Sequence, residues 1–159
     1  MSDFTHVDAT GRVRMVDISA KAVSDRHAVA GATLQMAEAT LRAIAGGETA
    51  KGDIFATARI AGILAAKRTH ELIPLCHPLA LNDVGIDFEL DPSGPAIHVR
   101  SRCRVSGRTG VEMEALTAAA VAALTLYDMC KALDRGMRIT DVRVIEKAGG
   151  RSGDFRAEP

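Results

Sequence analysis

The order of apolar and polar positions divides the 159-residue chain into a handful of elements. Residues 14–19 (RMVDIS) alternate and predict a short strand. Over 21–30 alanine dilutes the period, so strand and helix both fit. Leu34, Met36, Leu41 and Ile44 predict a helix over 33–45, ended by Gly46-Gly47. A second helix starts after Asp53, its expected cap, and draws apolar surface from Ile54, Ala58, Ala61, Ile63 and Leu64. Two alternating runs, 79–90 and 96–105, flank the turn Asp91-Pro92-Ser93-Gly94-Pro95 and predict a hairpin. On its second strand His98, Arg100, Arg102 and Arg104 share a polar face, as solvation or cross-strand pairing requires. Residues 137–147 alternate as a closing strand, and a glycine-rich stretch, 149–154, follows.

The longest pattern is 107–131, GRTGVEMEALTAAAVAALTLYDMCK. Glu112 and Glu114 stand at its start, Asp128 and Lys131 at its finish, and no charge lies between Glu114 and Asp128. Ala, Leu, Met and Thr fill the middle with high helix propensity, and apolar residues on almost every face mark a buried helix. At a rise of about 1.5 Å and a turn of about 100° per residue, Glu114 and Asp128 lie roughly 21 Å apart but within about 40° of one face. One small pocket in one subunit cannot hold both. Two such helices packed antiparallel about a twofold axis would bring Glu114 of one copy toward Asp128 and Lys131 of the other. Two separate surface ends of a core helix satisfy the same pattern.

These elements suggest an α+β fold, a ferredoxin-like sandwich whose antiparallel sheet carries its helices on one face. The length suits a single domain over 1–159, with 1–12 and 149–159 flexible. Helices this apolar in so small a domain point to further burial by oligomerisation.

Composition narrows the chemistry. Twenty basic residues balance twenty acidic ones, and aromatics are only 3%, which argues against nucleic acid as a partner. Cys76, Cys103 and Cys130 are odd in number, widely spaced and without a C-x-x-C pair, as in reduced thiols. No apolar signal core opens the chain, and the uncharged run 115–127 is too short for a bilayer, so a cytoplasmic location and no membrane partner are expected.

Three places offer candidate chemistry. Lys51 precedes a helix N-terminus, where it would supplement N–H donors on a phosphate or stand as an ordinary solvated lysine. Pro74 and Pro78 restrict Leu75-Cys76-His77, a rigid place to bind something and equally a structural turn. One Cys beside one His is a thin basis for a metal or a nucleophile. Asp128 and Lys131, spaced i, i+3 at the end of the long helix, can pair there.

Residues 51–79 (KGDIFATARIAGILAAKRTHELIPLCHPL), 109–132 (TGVEMEALTAAAVAALTLYDMCKA) and 147–155 (KAGGRSGDF), together with MVDISAK at 15–21, closely resemble the cyclic pyranopterin monophosphate synthases of molybdenum cofactor biosynthesis. The resemblance implies a lyase that converts (8S)-3′,8-cyclo-7,8-dihydroguanosine 5′-triphosphate to cyclic pyranopterin monophosphate and releases pyrophosphate. It implies a homohexamer, a trimer of dimers with active sites at subunit interfaces. It assigns catalysis to Asp128, Lys51 and Lys131, and substrate contacts to Leu75, Cys76, His77, Glu112, Met113 and Glu114. No cofactor is expected, with Mg2+ an optional assistant to pyrophosphate departure. The rival classes are a non-catalytic nucleotide-sensing module and a metal-dependent phosphohydrolase using His77, Glu112 and Glu114.

Overall fold

The structure is a computed structural model that describes residues 6–7, 10–47, 52–151 and 153–158. Its strands are β1 (Ser24–Gln35), β2 (Asp83–Asp91), β3 (Ala96–Gly107), β4 (Arg138–Ala148) and the short β5 (Phe155–Arg156). The helices are α1 (Glu38–Ala45), α2 (Ile54–Lys67), α3 (Thr69–Leu72) and α4 (Glu112–Cys130). One antiparallel sheet runs β2-β3-β1-β4-β5. Without β5 this is the α+β ferredoxin-like order, in which β1 and β2 run parallel with β3 between them.

Period-two alternation sorts the sheet into two faces. Ala28, Ala30, Ala32 and Leu34 of β1 and Ile97, Val99, Cys103 and Val105 of β3 join the helices in the core. Arg100, Arg102 and Arg104 point away from it and stay exposed, and Arg102 reaches Asp83 of β2 at 3.5 Å. The hairpin forms as expected, with Asp91 opposite Ala96. Asp91 closes its turn by accepting from the Ser93 backbone N–H at 2.8 Å and the Ser93 hydroxyl at 2.6 Å.

The helices pack through alanine. Ala115, Ala118, Ala119, Ala122 and Ala123 of α4 are fully buried, and α2 crosses them at Gly62. A Cβ there would stand 2.3 Å from Ile86 Cδ1 and 2.8 Å from the Ala118 carbonyl oxygen. Asp53 does cap α2, accepting from the Ala56 N–H at 2.8 Å. Inside the core, Ser101 of β3 donates its hydroxyl to the Ala115 carbonyl at 2.6 Å, which pins sheet to helix.

Four boundaries differ from the sequence expectations. Among the described residues, 14–19 form no strand; pairing there goes no further than the isolated bridge Val7–Val13 and the Arg14 N–H donating to the His6 carbonyl at 3.0 Å. The helix expected over 33–45 begins only at Glu38, since β1 runs on to Gln35 with β3 on one side and β4 on the other. Pairing on both edges overrides the weak local signal of its alanines. The ambiguous stretch 21–30 resolves as strand from Ser24 for the same reason. β2 starts at Asp83, while Leu79 and Leu81 pack against the core without pairing. In the glycine-rich tail Phe155 and Arg156 pair with Lys147 and Glu146 of β4, and parts of both termini lie outside the described residues.

Candidate active site

The uncapped start of α4, the proline-bracketed segment after α3 and the segment before β1 converge on a cavity of about 260 Å³. Its wall contains Leu75, Cys76, His77, Glu112, Met113 and Glu114, all six residues expected to contact substrate. Val16, Ile18 and Lys21 close the other side. The 14–19 segment is therefore a wall of this cavity rather than a strand.

His77 is fixed by that wall. Its Nε2–H donates to the Val16 carbonyl at 2.8 Å, and a carbonyl can only accept, so the neutral ring keeps its lone pair on Nδ1. Asp17 steadies the same segment, accepting from the Ser19 backbone N–H at 2.8 Å and the Ser19 hydroxyl at 2.6 Å. These two bonds hold the Asp17 carboxyl below its usual range.

Glu114 is a buried carboxyl, only 4% exposed, at the first turn of α4. Burial pushes its pKa up to about 7, its own backbone N–H offsets part of this, and the neighbouring Glu112 adds to the rise. It therefore shares its proton at neutral pH and can donate as well as accept. Burial, and then the Glu114 charge, raises the Cys76 thiol, which disfavours the thiolate that nucleophilic attack needs. Cys103 is pushed up to about 12 by burial, then by Glu114 and Asp83.

A second cavity, about 210 Å³, adjoins the first and is far more polar. Lys21, Arg26 and Lys147 line it, and it shares Lys21, Thr109, Gly110 and Glu112 with its neighbour. Lys147 Nζ lies 3.1 Å from Glu112 Oε1 on the shared wall. The Arg26 Nε–H donates to the Gly107 carbonyl at 3.1 Å, which holds the guanidinium in place. Three cations around one carboxylate suit a polyanion such as a phosphate chain. None of the three was singled out from sequence. Lys21 and Lys147 sit in MVDISAK and KAGGRSGDF; the register of β1 against β4 brings Lys147 alongside Arg26, and the Arg108 Nε–H, donating to the Lys21 carbonyl at 3.0 Å, holds the Lys21 segment.

The expected catalytic residues are placed differently. Asp128 and Lys131 form an ion pair at 2.6 Å at the far end of α4, half exposed, and neither lines these two cavities. Lys131 instead borders a shallow depression with Tyr127, Ala132 and Arg135. Lys51 lies outside the described residues. Among the described residues no three His, Cys, Asp or Glu side chains gather as a metal would require, so the phosphohydrolase reading gains no ligand set.

Comparison with known proteins identifies the family. A curated protein of Methylobacterium nodulans, named cyclic pyranopterin monophosphate synthase, is 58% identical over 159 residues, covering 100% of this chain and 99% of its own length. The family model described as MoaC family matches residues 15–150, a span that takes in the lining of both cavities except His6, and the Asp128–Lys131 pair. The chain belongs to the MoaC family.

Proposed function

We infer that this chain is a lyase of molybdenum cofactor biosynthesis, converting (8S)-3′,8-cyclo-7,8-dihydroguanosine 5′-triphosphate to cyclic pyranopterin monophosphate with release of pyrophosphate. Its family and the name of its Methylobacterium nodulans relative support the reaction. The observation that carries it in the geometry is the pair of adjoining cavities, one with groups suited to a purine-derived ring and one suited to phosphates.

In this reading Lys21, Arg26 and Lys147 bind the triphosphate and stabilise the charge that develops on departing pyrophosphate. Opening and reclosing the ring moves protons, and Glu114 and His77 lie where the ring would sit, Glu114 able to donate or accept and His77 to accept at Nδ1. Asp128, Lys131 and Lys51 supply the remaining acid–base and cationic groups. The first two come from a second copy, because roughly 21 Å of helix separates Glu114 from Asp128 within one chain. A twofold dimer supplies two such composite sites, and three dimers make the homohexamer. The enzyme works in the cytoplasm on a small-molecule substrate, with no resident cofactor and Mg2+ at most assisting pyrophosphate release.

The test is pyrophosphate release from the cyclised precursor, with GTP as control and a chelator in a parallel sample. Release from the precursor alone, unchanged by chelator, is expected. Tight binding without release would point to a nucleotide-sensing module instead.

A further inference from the structure

The Glu112 carboxylate reaches Lys147 by lying over the backbone of Gly110. A Cβ built on Gly110 would stand 1.9 Å from Glu112 Oε2 and 2.8 Å from its Cδ. Gly110 does not use the left-handed region, so its backbone accepts an L side chain without strain. The obstruction is therefore the end of one flexible side chain rather than a piece of main chain. Gly149, at the other side of the second cavity, is the opposite case. Its φ is +91°, and a Cβ there would meet the Asp25 carbonyl oxygen at 2.3 Å, so glycine at 149 is a requirement of the fold itself.

We propose that Gly110 is a positioning residue: the space its missing side chain leaves holds the Glu112 carboxylate, and so sets Glu112 against Lys147 on the wall between the two cavities. The consequence for turnover rests on reading those cavities as the ring and phosphate halves of one substrate site. An alanine at 110 forces the carboxylate to swing away. Off the wall it enters one cavity or the other, bringing negative charge to where ring or phosphate would sit, and Lys147 loses its 3.1 Å contact with Glu112. The backbone, the α4 helix and the core are untouched.

The experiment compares wild type, Gly110→Ala, Glu112→Ala and the double variant as full-length oligomers. KM and kcat for the cyclised precursor and the affinity for inorganic pyrophosphate are measured, and Gly110→Ala is crystallised. The variant should raise KM and weaken pyrophosphate binding about tenfold or more, as loss of one charge-assisted contact implies, with a smaller change in kcat. With Glu112→Ala already present, Gly110→Ala should weaken pyrophosphate binding no further, because the group it displaces is gone. The crystal should show the Glu112–Lys147 contact broken. Wild-type behaviour in Gly110→Ala, an equal penalty with or without Glu112, or an intact contact in the crystal would each overturn the proposal. If wild type itself releases no pyrophosphate from the precursor, the functional reading falls, while the crystal contact and the pyrophosphate affinities still decide the positioning role.

Discussion

The two ends of α4 carry charged residues in opposite surroundings. At its start Glu112 and Glu114 are drawn into a cavity wall, with Glu114 buried and its proton held to about neutral pH. At its finish Asp128 and Lys131 pair with each other, half exposed to solvent. Seven of the helix residues between and around them are small or apolar and buried: Ala115, Ala118, Ala119, Ala122, Ala123, Leu126 and Cys130. The helix thus acts as a rigid spacer. One end is completed by its own chain, through His77, Val16 and Lys147, and at the other end Lys131 borders a more open pocket of about 330 Å³ that neither Glu112 nor Glu114 lines.

The largest effect should come from testing whether those ends belong to one site across two copies. Asp128→Ala and His77→Ala should each reduce kcat by about 10²–10⁴-fold, the usual contribution of an acid–base group, while leaving a folded oligomer by light scattering. Mixed and reassembled, the two inactive proteins should recover about a quarter of wild-type activity, since half of randomly paired dimers would hold one intact site of two. No recovery from verified mixed oligomers would mean that each chain builds its site alone.

Next is the proton on Glu114. Burial raises its native pKa from 4.5 to about 7, so between those values the native state binds more protons than the unfolded chain. Its contribution to stability is therefore fully present below about 4.5 and lost as the pH rises through 7. Glu114→Gln removes that dependence, and its stability gain over wild type should grow across this window to about 3 kcal/mol. Urea unfolding at pH 5 and pH 8 reads it, and a gain that does not change with pH would contradict the buried-acid account.

A smaller effect tests the spacer between the ends. Gly62→Ala drives a methyl into Ile86 and the backbone of Ala118, and should cost about 1–3 kcal/mol as overpacking. A melting temperature equal to wild type would show that α2 and α4 can separate without penalty. The smallest is the Asp128–Lys131 pair, which should add only about 0.2–0.5 kcal/mol to stability. Lys131→Ala should therefore leave the melting temperature almost unmoved while turnover collapses, and a large fall in stability would make the pair structural.

Much of this was legible in the sequence where the signal is local. The cap at Asp53, the turn 91–95, the alternating face of β3 and the uninterrupted α4 all follow from residue type and period, and the structure has them where the pattern put them. The segment with Leu75, Cys76 and His77 and the start of α4 were named from their motifs, and they meet in one cavity. Local signal failed where partners decide. In β1 three alanines dilute the period, so that 21–30 fits strand and helix alike until β3 and β4 flank it. Residues 14–19 alternate like a strand but join no sheet among the described residues, and Val16 supplies its carbonyl to His77 instead.

The sequence by itself determined the family, the α+β class, the long apolar helix and the charges at its two ends, because these depend on composition, period and motif. Only the tertiary structure decided that Lys21, Arg26 and Lys147 stand together, that Glu114 keeps its proton, and that Glu112 folds over Gly110. Each of those depends on which segments meet across the sheet and how deeply they are buried, and distance in space is not written in distance along the chain.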